Sequence, residues 1–274
     1  MTVENLKTEA TPGTALITGA SSGIGAVYAD RLATRGYDLI VVARDAERLS
    51  RLAQGLSEKA GVQVEVLKAD LTSRADLDKV EARLRSDQLI TLLVNNAGIG
   101  GRKPVLEEDI DYLESMVELN VVAFHRLAIT AAQVFAKRQR GGIINIGSVV
   151  ALLPERFTTS ASYNASKAFV LGLTLALEPV LSQTGVTLQV VLPGLTRTEI
   201  FERVGRSFAE FPAEILMETT DLVDAALAGF DQGELITIPS LPDPADWDAV
   251  TRAREALAPN ISHQKPARRY GVTK

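Results

Sequence analysis

The feature that most constrains this chain is a change of hydrophobic period that repeats along its whole length. Seven short runs of aliphatic and β-branched residues, at 14–18, 38–43, 62–67, 90–94, 142–147, 186–191 and 234–239, recur at intervals of about 25 to 50 residues. Longer stretches of helical composition lie between them, among them 26–35, 46–59 and 109–138. Several runs are almost continuously apolar, as strands are when helices cover both faces of a parallel sheet. Alternating β and α elements predict a doubly wound, Rossmann-type α/β fold, with a mostly parallel sheet of about seven strands.

Composition narrows the chemistry. The 274 residues are 46% hydrophobic and include no cysteine and two histidines, His125 and His263. A chain without cysteine has no disulfide framework, zinc–thiolate site or cysteine nucleophile. Two histidines cannot make a three-histidine metal site, and no metal is expected. The formal net charge of −5 argues against a general phosphate-backbone binder, so no nucleic-acid partner is expected. The opening MTVENLKTEATPG lacks the apolar core of a signal peptide. The most apolar helical stretch is read as 168–177, about half the ~20 residues that span a bilayer. A cytoplasmic protein with no membrane partner is the expectation.

No compositional break divides the chain before about residue 240. Gly36, Gly61, Gly185 and Gly233 each follow a helical stretch, where a left-handed terminus is expected. Residues 1–240 are therefore read as one dinucleotide-binding catalytic domain, its first 12 or so flexible, and 241–274 as an extension. That extension, proline-rich at first and basic at its end, is either ordered or frayed.

The first β run leads straight into Gly19-Ala20-Ser21-Ser22-Gly23-Ile24-Gly25. Glycines at such a turn let the backbone approach a diphosphate, whose charge the first N–H groups of the helix attract. The same glycines would also serve a strand–helix turn for geometry alone. The segment TGASSGIG at 18–25 resembles the cofactor loop of the short-chain dehydrogenase/reductase family, classical type. Five further matches follow in order: NNAG at 95–98, Asn120, Ser148, Tyr163 with Lys167, and Pro193-Gly194. Together the matches cover residues 12 to 240.

The resemblance implies an oxidoreductase that interconverts a carbonyl and an alcohol by hydride transfer, with Asn120, Ser148, Tyr163 and Lys167 as catalytic residues. It implies cofactor contacts from Gly19, Ser21, Ser22, Gly23, Ile24, Gly25, Asn96, Ala97, Gly98, Tyr163, Lys167, Pro193, Gly194, Thr196 and Thr198. Asp70 and Leu71, ending the third β run, match the pair beside the adenine, although Asp70 also reads as a helix N-cap. It further implies a small-molecule substrate and a homodimer or homotetramer. A cofactor-sensing regulator of the same fold, without turnover, is the alternative.

Elementary chemistry agrees with these roles. Tyr163 and Lys167 share one helix face at a spacing of four residues. A phenol with an ordinary pKa near ~10 needs ~4 kcal/mol of preferential phenolate stabilisation to act as a base at neutral pH. A neighbouring ammonium, together with the positive nicotinamide, is expected to supply it. At the end of the second β run stands Arg44, whose guanidinium can pair with a 2′-phosphate and so favours NADP(H) over NAD(H). Arg44 also reads as a solvated residue, with Asp45 as N-cap of the next helix. Ser148 and Tyr163 are 15 positions apart, slightly more than the family spacing, as a loop longer by two residues would give.

The residues to about Met217 are read as a mobile substrate lid. Phe201, Phe208 and Phe211, with Leu152, Leu153 and Phe157, either line an apolar pocket or pack the lid on the body. Arg156, Arg197, Arg203 and Arg206 either attract an anionic substrate or are solvated.

Overall fold

The computed structural model describes residues 12–156, 160–200 and 207–272. The chain forms two compact units, Met1–Pro239 and Ser240–Lys274. In the first, seven strands make one parallel sheet: β1 (Thr14–Thr18), β2 (Asp38–Ala43), β3 (Val64–Lys68), β4 (Ile90–Asn95), β5 (Gly141–Ile146), β6 (Val186–Val191) and β7 (Ile236–Thr237). Their order across the sheet is β3-β2-β1-β4-β5-β6-β7. The helices are α1 (Gly23–Thr34), α2 (Ala46–Ala60), α3 (Arg74–Ser86), α4 (Ile110–Val117), α5 (Phe124–Arg138), α6 (Ala161–Leu181) and α7 (Thr219–Asp231). The second unit carries α8 (Ala245–Glu255), so part of that extension is ordered.

Strand side chains alternate between faces, and each face has its own core. Ala15 and Ile17 of β1, Leu39 and Val41 of β2, and Leu92 and Val94 of β4 pack with Tyr28, Leu32, Leu49 and Leu222 from α1, α2 and α7. Leu16, Ile40, Val42 and Leu93 point the other way, onto Leu77, Leu84, Leu127 and Phe135 from α3 and α5. The near-continuous apolar runs are thus the mark of strands buried on both sides. At the margins the pattern weakens: β3 alternates half-buried and exposed residues, and β7 has only two residues against the six of its run.

Helix ends follow the local chemistry, with one correction. Asp45 caps α2, its carboxylate accepting from Arg48 N at 3.0 Å. The four glycines expected to be left-handed are so, with φ of +82°, +70°, +67° and +77° at Gly36, Gly61, Gly185 and Gly233. The cap of α3, however, is Ser73 and not Asp70. Asp70 instead folds an Asx turn, accepting from Thr72 N at 3.0 Å and Thr72 Oγ1 at 2.8 Å.

A second correction concerns the long helix. Residues Ile110–Arg138 are continuously helical for 29 residues and, by length and composition, are apolar enough to cross a bilayer. The stretch read at 168–177 lies within α6, and the expectation that no helix is long and apolar enough to span is overturned by this one. Half of its most apolar window is buried in the molecule, as in a core helix. The run is not regular: a π turn over Glu118–Ala123 separates α4 from α5. Beside it, Glu81 of α3 is 1% exposed and lies between Arg85, at 2.5 Å, and Arg126, which ties α3 to α5.

Phe135 sits beneath the start of β5, where a side chain on Gly141 would strike its ring. Truncating it to alanine should cost about 3–5 kcal/mol, read as a fall in the urea midpoint with an unchanged m-value. A loss below ~1 kcal/mol would show that this face of the sheet does not depend on it.

Candidate active site

Parallel strands end together, and where the strand order reverses, the connections leave to opposite faces and open a crevice. Here the reversal lies between β1 and β4. Thr18 and Asn96 hold its two lips together. Thr18 Oγ1 accepts from Asn96 N at 2.9 Å and from Ala97 N at 3.0 Å, while Asn96 Nδ2 donates to Thr18 O at 2.9 Å.

The glycine loop follows at once. A Cβ on Gly25 would come within 2.4 Å of Gly19 O and 2.6 Å of Asn96 Nδ2, so no other residue fits where α1 begins. Gly19 is left-handed, with φ +67°, and its backbone passes as closely over Ala97. Ser21, Ser22, Gly23 and Ile24 complete the turn and lead into the first turn of α1, whose N–H groups have no partner within the helix. Thr198, beyond β6, lies across this loop: its Cβ is 3.5 Å from the position a Cβ on Gly23 would take. Thr196 is buried and donates to Gly194 O at 3.1 Å.

On the other side of the crevice the structure gathers the four residues expected to be catalytic. The π turn places Asn120 toward the loop after β4, where Ile99 N donates to its Oδ1 at 2.9 Å and its Nδ2 donates to Ile99 O at 2.8 Å. Asn120 Nδ2 also reaches Ser166 Oγ at 3.2 Å, and that hydroxyl donates to Tyr163 O at 2.7 Å. The chain from Asn120 to the Tyr163 helix therefore runs through Ser166, which the sequence reading missed. A serine three residues past a tyrosine, on the buried side of a helix, was the available signal. Gly98 lies between the two helices; a Cβ there would be 3.2 Å from Asn120 Oδ1 and 3.7 Å from Lys167 Nζ.

Lys167 is 6% exposed, and its Nζ donates to Ile146 O at 2.9 Å, 5.7 Å from the centre of the Tyr163 ring. An ammonium carries three donors, and Ile146 O accepts one of them; ribose hydroxyls suit the others. Ser148 is held at the end of β5, its Oγ 3.4 Å from Pro193 O and 3.4 Å from Val150 N. The Tyr163 hydroxyl faces it, and a hydrogen bond from Ser148 favours the phenolate. The longer spacing between them is taken up by two 3-10 turns, Val149–Ala151 and Pro154–Arg156, and residues 157–159, Phe157 among them, lie outside the described part. Ser160 faces Gly101 instead.

Burial governs the electrostatics. It pushes the Tyr163 phenol up to about 12, against a smaller lowering from the Ser148 hydrogen bond. It also brings the Lys167 ammonium down to about 8. The lowering expected from the ammonium together with a positive nicotinamide must therefore work against desolvation.

At the adenosine end, Arg44 is exposed and has no ion pair among the described residues, the Asp70 carboxylate is folded back on Thr72, and Leu71 is buried. At the base of the expected lid a parallel bridge pairs Thr196 with Met217, and Arg197 N donates to Met217 O at 2.9 Å. Arg197 pairs with Glu218 at 2.8 Å and lies 5.4 Å from the Phe208 ring centre, so neither residue is simply solvated. Phe201, Arg203 and Arg206 lie outside the described residues, as does the Arg156 side chain.

Comparison with known proteins decides the lineage. The family described as short chain dehydrogenase matches residues 13–207. The chain belongs to the short-chain dehydrogenase family. Among solved structures, a short-chain dehydrogenase from Sphingobium yanoikuyae in complex with NADPH is 48% identical, covering 94% of this chain and 100% of that one, with a TM-score of 0.90. The bulky-bulky ketone specific alcohol dehydrogenase from Comamonas testosteroni is 43% identical over 95% and 99%, with a TM-score of 0.87. A very-long-chain 3-oxoacyl-CoA reductase from Anas platyrhynchos is 32% identical over 68% of this chain and 60% of that one. This short-chain dehydrogenase is accordingly an NAD(P)-dependent oxidoreductase acting on small molecules, and a nicotinamide cofactor fits the glycine loop and the Lys167 donors described above.

The buried ammonium gives a direct test. With lysine labelled at 13Cε, the Lys167 signal, assigned by its absence in Lys167→Met, should titrate near pH 8 while the exposed lysines titrate near ~10.4. A Lys167 midpoint above 10 would remove the burial argument.

Proposed function

We propose that this chain is an NADP(H)-dependent carbonyl reductase and alcohol dehydrogenase in which Tyr163 is the general acid and base. The observation that carries this reading is the convergence of the Ser148 and Tyr163 hydroxyls beside the buried Lys167 ammonium. The cofactor, when bound, supplies or accepts the hydride at its nicotinamide ring.

The chain's own residues do the rest. Ser148 orients the substrate oxygen against the Tyr163 hydroxyl. With its pKa near 12, Tyr163 holds its proton at neutral pH and is poised to donate it to a carbonyl oxygen as that oxygen gains charge. For alcohol oxidation the phenol must lose that proton, which requires positive charge beside it: the Lys167 ammonium and the oxidised nicotinamide. Lys167 binds the nicotinamide ribose, and Asn120, fixed between Ile99 and Ser166, lies on the route by which the Lys167 proton is replaced from solvent. Gly19, Ser21, Ser22, Gly23, Ile24 and Gly25 cradle the diphosphate with Thr198. Asn96, Ala97 and Gly98 line the ribose, and Pro193, Gly194 and Thr196 the nicotinamide. Asp70 and Leu71 flank the adenine.

Arg44 supports the preference for NADP(H). It is an exposed cation at the carboxyl end of β2, one residue before the cap of α2, where a 2′-phosphate would find both a guanidinium and the N–H groups of a helix start. The substrate is proposed to be a ketone or secondary alcohol with apolar substituents; the relative specific for bulky ketones supports this class. The chain is proposed to work as a homodimer or homotetramer. Along α6, Ala165, Gly172, Ala176 and Val180 form an exposed stripe of mostly small residues that a second copy can approach closely.

With NADPH and a panel of ketones, Tyr163→Phe should lower turnover by about 10²-fold or more while NADPH still binds. Unchanged turnover would overturn the mechanism. Arg44→Asp should raise the KM for NADPH about tenfold to a hundredfold and leave that for NADH equal or lower. An unaltered cofactor ratio would overturn the 2′-phosphate role.

A further inference from the structure

The diphosphate cradle is bordered by two segments from opposite halves of the chain. One is the first turn of α2, which follows β2; the other is the segment Thr196–Glu199, which follows β6. An ion pair joins them across 151 positions of sequence: Arg48 Nη1 lies 2.7 Å from Glu199 Oε2. Neither partner is loosely held. Arg48 is positioned by Asp45, whose carboxylate accepts from Arg48 N at 3.0 Å and lies 3.6 Å from Arg48 Nε. Glu199 stands three residues beyond Thr196, which is pinned by its bridge to Met217, and one beyond Thr198, which faces Gly23. A line from Glu199 to Arg48 therefore starts beside the glycine loop and ends on α2, on the α1 side of the crevice.

We propose that Arg48 and Glu199 are a cofactor-positioning pair, a strap that closes the cleft beside the diphosphate and slows dinucleotide release. The inference rests on the nicotinamide-cofactor reading but not on the choice between NADPH and NADH, because both carry the same diphosphate. Glu199 also opens the segment read as the lid, so release of the strap frees the stretch that Thr198 presses on the loop. Arg48 acts through this pairing and does not itself read the 2′-phosphate, which falls to Arg44, one helical turn earlier.

The test is the dissociation rate of NADPH and of NADH, followed by stopped-flow quenching of reduced-nicotinamide fluorescence. Both side chains are about 40% exposed, with 42% for Arg48 and 40% for Glu199, so the pair has the modest strength of a surface ion pair. Glu199→Gln and Arg48→Gln should each speed release of both cofactors about two- to fivefold. Added salt should speed release from the wild type by a larger factor than from the variants. The exchange Arg48→Glu with Glu199→Arg should return most of the wild-type rate, which a merely structural loss would not. The single-turnover rate of hydride transfer should stay the same throughout.

Unaltered release rates, or no recovery in the exchanged pair, would overturn the strap. An effect confined to NADPH, with tighter binding in Glu199→Gln, would assign Arg48 to the 2′-phosphate instead. A wild-type chain that binds neither dinucleotide would overturn the cofactor reading itself, an outcome distinct from wild-type binding with unchanged variants.

Discussion

The rest of the structure depends on the seam between β1 and β4. Parallel strands that diverge at a reversal of order leave their last backbone groups facing a crevice, and an open crevice of that kind would admit water to the sheet. Thr18 and Asn96 close it with side-chain bonds to the main chain of the opposite lip. Because Asn96 Nδ2 sits 2.6 Å from where a Cβ on Gly25 would lie, the same amide also fixes how closely α1 approaches the sheet. The glycine loop is thus shaped from both sides. Its glycines permit the close approach, and Asn96 sets the distance. The anion-attracting end of α1 is then delivered to the point where the sheet leaves room for a ligand.

Across the seam, a second constraint orders the reacting groups. Asn120 bonds both the N–H and the carbonyl of Ile99 from within the π turn over Glu118–Ala123, which joins α4 to α5 without breaking the helix. Such turns are frequent at functional sites. Ser166 carries the alignment to the main chain of Tyr163, so position is transmitted from the β4 loop to α6 through two side chains.

Much of this was legible in the sequence, and what was not has a common cause. The doubly wound sheet, its seven strands and the left-handed glycines follow from local period and local turn chemistry. The order of the site motifs placed Ser148, Tyr163 and Lys167 at strand ends and on one helix before any coordinates. What escaped were effects set by partners distant in the chain. Asp70 reads locally as a cap, yet the helix starts at Ser73 because Asp70 is engaged by Thr72. The π turn leaves no trace in a run that is apolar throughout. Ser166 looks like filler until Asn120, 46 positions away, is set against it. The burial that raises the Tyr163 phenol likewise comes from elements that its own helix does not contain.

That burial sharpens the chemistry. Burial opposes charge on both Tyr163 and Lys167, and it moves them in opposite directions on the pH scale, toward about 12 and about 8. The neutral range lies below both values, so the pair rests there as phenol and ammonium. A reductase needs that state, because the phenol has a proton to give and the ammonium favours the phenolate left behind. Running the reaction toward the carbonyl requires the phenol to reach neutral pH from about 12, or ~7 kcal/mol of preferential phenolate stabilisation instead of the ~4 an exposed tyrosine would need. On the mechanism proposed above, that stabilisation comes from the Lys167 ammonium together with the positive charge of an oxidised nicotinamide. The protonation state of Tyr163 would then follow the redox state of the cofactor, and the Tyr163–Lys167 pair would serve both directions of one reaction.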